Sequence, residues 1–160
     1  MRTRISIVIL SLFLTIGLSA GVTAGEGDWM DMENCGMCKH LGANMEMLEH
    51  MTWNHYDVKD GIMSVCTVED NYAEAYAMAS KLMGATGAKM MSGEAVPLCG
   101  MCTEMSGMMM AGANMELVTT DFGNIRLVTS SDEAMVTKLH AWAEQTNSEM
   151  AKMEAPAEKE

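Results

Sequence analysis

Two Cys-x-x-Cys motifs of identical sequence occur in this chain. Cys35-Gly36-Met37-Cys38 recurs as Cys99-Gly100-Met101-Cys102. On a helix, or at its first turn, this spacing puts two sulfurs on one face, with Cβ atoms roughly 5–6 Å apart. Such a pair can bind a soft or borderline metal as thiolates, can act as a redox dithiol, or can close a disulfide. Four thiolates from two pairs would complete a closed tetrahedral site, so the predicted primary ligands are Cys35, Cys38, Cys99 and Cys102.

Two other interpretations of these cysteines stay open. Disulfides within or between the pairs would suit an exported protein nearly as well as a metal, and they would staple a structural or adaptor protein. A thiol–disulfide oxidoreductase is favoured less, because no strand precedes Cys35 and because the motif recurs. The fifth cysteine, Cys66, lies in a predicted strand. We interpret it first as a small buried core residue, and otherwise as a further ligand or a dimer-forming thiol.

Methionine is unusually frequent, with 21 copies in 160 residues. Its thioether suits Cu(I) and, unlike a thiolate, does not form a disulfide. Methionines crowd around both motifs, and the additional ligand candidates nearest to the cysteines are Met37, Met101 and His40. A secondary set of candidates consists of His50, Met51, His55 and Cys66. The alternative is that the methionines form a core face or a pliable surface that docks a protein partner.

The N-terminus has the pattern of an export signal. Arg2 and Arg4 precede an apolar run from Ile5 to Leu18, and small residues follow up to Ala24. This order predicts a secretory signal peptide over 1–24, whose apolar run is short for the roughly 20 residues of a spanning helix. An uncleaved membrane anchor is the less favoured alternative. We therefore expect an exported protein, periplasmic or secreted, without stable membrane insertion after cleavage.

Composition excludes several classes of function. Lysine and arginine total 10 against 22 aspartates and glutamates, which gives a formal net charge of −12. This charge argues against nucleic acid and against anionic lipid as partners. No catalytic acid–base constellation is visible, so we expect a protein that is not an enzyme, apart from the thiol–disulfide alternative. Hydrophobic residues make up 49%, which is enough for a packed core and too many for a disordered chain.

The chain also resembles itself. The order of the repeated segments is the same in both halves: the Cys-x-x-Cys motif comes first, and Gly42–Glu46 then recurs as Gly112–Glu116. Ile62 and Val65 match Ile125 and Val128 further along, at a slightly different offset. We interpret this as an internal duplication. The predicted divisions are the signal peptide 1–24, repeat unit one 25–86, a linker 87–97, repeat unit two 98–153 and a disordered tail 154–160.

Each unit is predicted to contain a helix, a hairpin and a second helix. In unit one the first helix would span about 35–51, and strands 53–58 and 62–68 would flank the turn at Asp60-Gly61. The second helix would run from about 71 to 83 and end at Gly84. Unit two has strands at 115–120 and 125–129 and a helix that begins at the capping box of Ser130 and Glu133 and reaches about Met150. The fold class is therefore α+β: two tandem αββα repeats whose hairpins join in a pseudo-twofold, four-stranded antiparallel sheet with helices packed on it.

In composition and export signal the chain resembles the methionine-rich periplasmic copper-handling proteins. The order Cys-Gly-Met-Cys differs from the Gly-Met-x-Cys-x-x-Cys loop of the heavy-metal-associated domain. The preferred hypothesis is an exported protein that binds a soft metal, copper before zinc, in sequestration or trafficking. The partner in that hypothesis is the metal ion itself.

Overall fold

The computed structural model describes residues 28–154. The predicted signal peptide therefore lies outside the described residues, and so do residues 155–160 of the predicted tail. Within residues 28–154 there are two short helices, two hairpins and three longer helices: α1 Lys39–Gly42, α2 Met45–Glu49, β1 Met51–Val58, β2 Gly61–Val68, α3 Ala73–Met91, α4 Gly100–Met110, β3 Asn114–Thr120, β4 Gly123–Thr129 and α5 Glu133–Glu154. A single 3₁₀ turn at Asp70–Tyr72 leads into α3.

The four strands form one antiparallel sheet in the order β1-β2-β4-β3. This confirms the predicted α+β class and the predicted joining of the two hairpins in one four-stranded antiparallel sheet, which occurs through β2 and β4. Glycine is required where each hairpin turns into its second strand. A Cβ atom on Gly61 would collide with the Val128 carbonyl oxygen, and one on Gly123 would collide with the Cys66 carbonyl oxygen.

All the helices pack on the same face of this sheet, which we call the inner face. The strand pairing puts Ile62, Cys66 and Val128 on it. One core cluster joins Ile62 and Val128 to α4 and α5, and a second joins Cys66 to α1, α2 and α3. The outward-pointing residues of the central strands belong to neither cluster: Met63, Val65, Ile125 and Leu127. Within residues 28–154, no helix combines the length and the apolar character that crossing a bilayer requires.

The strand register corrects the predicted alignment of the hairpins. Ser64 faces Arg126 at the centre of the sheet, and the pairing is symmetric about them, so Gly61 corresponds to Gly123. The predicted match of Ile62 to Ile125 is wrong by one position, because Ile62 lies on the inner face and Ile125 on the outer face. A shift of one residue moves a strand side chain to the other face. The duplication itself stays a prediction.

Three predicted helix limits differ from the structure. The helix expected over 35–51 is divided, because Asn44 starts α2 by accepting a hydrogen bond from the Met47 amide (3.0 Å), and Met51 already belongs to β1. The helix expected to end at Gly84 continues to Met91, into the segment assigned to the linker. Gly84 has open space around it, so its cost is only the roughly 1 kcal/mol intrinsic to glycine in a helix. The last helix also extends past Met150, to Glu154.

Candidate metal centre

The structure brings the four predicted primary ligands together. The sulfur atoms of Cys35, Cys38, Cys99 and Cys102 all lie within 4.8 Å of one another. Cys38 Sγ is 3.5 Å from Cys102 Sγ and 3.7 Å from Cys99 Sγ. A tetrahedral metal with metal–sulfur bonds of about 2.3 Å has edges of about 3.8 Å between its sulfurs. The spacing of the thiols is therefore compatible with a tetrahedral thiolate site.

The same distances differ from those of a disulfide. A disulfide bond is about 2.05 Å long. All five cysteines of the described residues are free thiols in this structure. The structure therefore shows no disulfide within or between the pairs, which was the alternative that the sequence left open.

The first pair of cysteines is held by turns. It precedes α1, and the Cys35 carbonyl accepts a hydrogen bond from the Lys39 amide at 3.0 Å. The Gly36 amide donates to the Pro97 carbonyl at 2.7 Å. A Cβ on Gly36 would collide with the side chain of Val96. The segment that leads into the second pair is therefore packed directly on the turn of the first.

The second pair lies at the start of α4. Cys99 caps the helix with an extended backbone, and its carbonyl accepts from the Thr103 amide at 2.9 Å. The Met101 amide donates to the Trp29 carbonyl at 2.9 Å, so the chain at Trp29 covers this helix end. A helix N-terminus favours the thiolate form of a nearby cysteine.

Water is largely excluded from the four sulfurs. Cys35 and Cys38 are 2% exposed and Cys99 is 4% exposed, whereas Cys102 is only partly buried. Trp142 of α5 is buried in the same core cluster as the cysteines, and its indole donates a hydrogen bond to the Met101 carbonyl at 3.0 Å. Both this indole and that carbonyl are thereby satisfied in a dry environment.

Hydrogen bonds among the thiols lower the pKa of two cysteines and raise the pKa of the other two. The pKa of Cys35 is lowered, chiefly because Cys102 donates a hydrogen bond to its thiolate. The pKa of Cys99 is lowered to about 6, again chiefly by Cys102. The pKa of Cys102 is raised by its hydrogen bond with Cys35, and that of Cys38 by its hydrogen bond with Cys102. Two of the thiols are thus held in the protonated form, so a metal that bound all four sulfurs would release protons.

The additional ligand candidates are less uniformly placed. Met37 is half-buried and packs against the core cluster that contains the four cysteines. Met101 is buried in that cluster. His40 lies at a distance from it, on the side of α1 that meets α3, where its Nε2 is 2.9 Å from Thr86 Oγ1.

The four secondary candidates do not form one group. His50 pairs with Glu69 at 3.1 Å and stacks on Tyr72. His55 is buried, its Nδ1 lies 2.7 Å from Ser64 Oγ, and burial lowers its pKa to about 4. Met51 and Cys66 belong to the second core cluster, on the side of α3. Among the described residues, the four cysteines are the one group of three or more cysteine, histidine or acidic side chains close enough to share a metal.

No pattern in the sequence connects Trp29 and Val96 with the site. Trp29 stands in no periodic run, and its indole reaches Thr146 Oγ1 of α5 at 3.2 Å. Val96 lies in the segment predicted to be a linker. Only the tertiary contact with Gly36 gives it a role.

No family model matches the chain, and neither the curated proteins nor the solved structures contain a match to it. Its function is therefore inferred from the geometry of the site.

Proposed function

We propose that this chain is an exported protein that binds a soft metal, Cu(I) before Zn(II), for sequestration or trafficking. The observation that carries this proposal is that four cysteine sulfurs from two distant segments lie within 4.8 Å of one another. Without a metal, the four thiols have mainly one another's sulfurs as partners, in weak contacts of 3.5 Å and 3.7 Å. A bound metal turns the same arrangement into a closed coordination sphere.

The surroundings of the site favour copper. Four thiolates accept either metal, but thioether sulfur suits Cu(I), whereas zinc is bound by thiolate, imidazole and carboxylate. The core cluster that contains the cysteines is surrounded by partly buried methionines: Met30, Met32, Met37, Met105 and Met109. Such a layer keeps the site soft and apolar around a monovalent ion.

The exposure of the fourth ligand favours transfer over a purely structural role. A purely structural zinc site fills all four positions with protein ligands and needs no side that is open to an incoming ligand. Here Cys102 is the one residue of the four cysteines that is partly exposed, whereas Cys35, Cys38 and Cys99 are buried. An incoming sulfur ligand could reach the metal on that side.

Metal content tests this proposal directly. The mature protein is exported by its own signal, purified without reductant or chelator, and measured by elemental and intact mass spectrometry. We expect at least about one copper per chain, a mature N-terminus near Gly25, and thiols that resist alkylation until the metal is removed. Zinc in place of copper would keep the thiolate site and overturn the assignment of the metal.

Two variants identify the ligands. Replacing Cys35 and Cys38 by serine should abolish stoichiometric metal, because two thiolates cannot complete the site. Cys66→Ala is the matched control, since Cys66 is a buried cysteine in the other core cluster. Unchanged stoichiometry in the double variant, or a metal-free wild type with bridged cysteines, would refute the proposed site and support the stapled alternative.

A further inference from the structure

One flank of α4 carries a row of three sulfur-bearing side chains. Cys102, Met105 and Met109 are spaced i, i+3 and i+7, which puts them within about 60° of one another around the helix. All three are partly exposed. Met101 and Met108, on the adjoining face, are buried. The row therefore follows the boundary between the core and the solvent.

The row has a direction. At about 1.5 Å per residue, Met105 lies about 4.5 Å and Met109 about 10.5 Å along the axis from Cys102. Long helical side chains lean toward the N-terminus of their helix. The thioether of Met109 therefore extends toward Met105, and that of Met105 extends toward Cys102. The row ends at the only ligand of the candidate centre that is not fully buried.

We propose that Met109 and Met105 form an entry path along which Cu(I) passes by ligand exchange to Cys102, and that this path discriminates against Zn(II). The inference rests on the proposed function of the four-cysteine site. At each step one copper–sulfur bond forms as another breaks, and copper stays monovalent throughout. At Cys102 the thiol proton leaves to solvent as the thiolate binds. A thioether is a poor ligand for Zn(II), so zinc gains nothing from the same row.

The test compares rates for two metals in one pair of variants. Met105→Leu with Met109→Leu removes both thioethers at nearly constant volume, a change that cores usually tolerate. Met78→Leu with Met91→Leu is the matched control, because these methionines lie on α3 and are 56% and 85% exposed. Cu(I) is supplied as its bicinchoninate complex and Zn(II) as its 4-(2-pyridylazo)resorcinol complex. Stopped-flow absorbance then gives the loading rate, and the endpoint gives the stoichiometry.

We expect the α4 variant to load Cu(I) at least about tenfold more slowly, with wild-type stoichiometry and an unchanged zinc rate. The control variant should load both metals like the wild type. An unchanged Cu(I) rate, or equal slowing of both metals, would overturn the path while leaving the centre intact. A wild type that takes up neither metal would overturn the proposed function, and the path with it.

Discussion

The two halves of the chain carry the same cysteine motif and the same kind of hairpin, but the structure around these features differs between the halves. In the first half, Cys35 and Cys38 sit in turns and are fully buried. In the second half, Cys99 and Cys102 begin a regular helix, and Cys102 is partly exposed. Identical sequences thus give one pair of buried cysteines in turns and one pair at a helix start that includes a partly exposed cysteine.

The two hairpins also differ in burial, and the hairpin of the first half is again the more buried. At equivalent positions of the symmetric sheet, His55 of β1 is buried and Leu117 of β3 is 56% exposed. The reason is that α5 lies across β1 and β2, whereas β3 is an edge strand without such a cover. Asn147 of α5 fixes the contact by bonding both the amide (3.0 Å) and the carbonyl (2.8 Å) of His55. The C-terminal helix therefore covers the hairpin of the other half.

The largest expected effect is on the pH dependence of stability. Burial, with a smaller contribution from the charge of Arg126, lowers the pKa of His55 to about 4 from an ordinary value of 6.5. Below pH 6.5 the unfolded chain binds a proton at this histidine and the folded protein does not. The free energy of unfolding should therefore fall as the pH drops from 6.5 to 4, by on the order of 3 kcal/mol from this one group.

Urea titrations with reductant and chelator, over this pH range, measure that contribution. His55→Leu should flatten the profile relative to the wild type. The converse variant, Leu117→His, puts a histidine at the equivalent exposed position and should add almost no slope. If His55→Leu leaves the profile unchanged, or if Leu117→His steepens it equally, the difference between the hairpins is not one of burial.

Much of this fold follows from local sequence. The turn at Asp60-Gly61 and the alternating strands predict the hairpins, because turn chemistry and a period of two act over a short stretch of chain. The recurrence of the cysteine motif predicts the four ligands as a set. The ends of the helices do not follow, because an exposed glycine such as Gly84 costs a helix too little to end it.

The conformation of each cysteine motif could not be predicted in the same way. The turn at Cys35 is set by Val96 and Pro97, which belong to the segment just before the second motif. The buried state of His55 is set by α5 from the opposite half. Such contacts between distant segments leave no periodic pattern in the sequence. They are the reason that two motifs of identical sequence differ in conformation and burial.

The next largest expected effect is a difference in stability between alanine variants of the two motif glycines, Gly36 and Gly100. Gly36→Ala would push a methyl group into Val96, beside a backbone hydrogen bond to Pro97, and should destabilise the protein by about 2 kcal/mol. Gly100→Ala would meet the Trp29 ring at 3.2 Å, a contact that a small shift relieves. Alanine is also the better helix former by up to about 1 kcal/mol, so Gly100→Ala should stay within about 1 kcal/mol of the wild type. Urea unfolding of both variants measures the difference, and equal destabilisation would mean that the two turns are constrained alike.

The smallest expected effect is a difference in Cu(I) affinity between variants of Cys38 and Cys102, the second cysteine of each motif. Cys38→Ser puts a hydroxyl in place of a sulfur that lies 3.7 Å from Cys99 Sγ and 3.5 Å from Cys102 Sγ. Because residue 38 is buried, water cannot supply the missing ligand there. Cys102→Ser leaves three buried thiolates and opens the fourth position on the exposed side, where Cu(I) tolerates three sulfur ligands. We expect Cu(I) affinity to fall about 100-fold in the first variant and about tenfold in the second, a difference of about 1.4 kcal/mol. Competition with a Cu(I) chelator gives both affinities, and release to excess chelator should be faster in Cys102→Ser than in wild type. A larger loss in Cys102→Ser than in Cys38→Ser would reverse the roles of the two pairs, because the exposed thiol would then be the one that the bound metal depends on most.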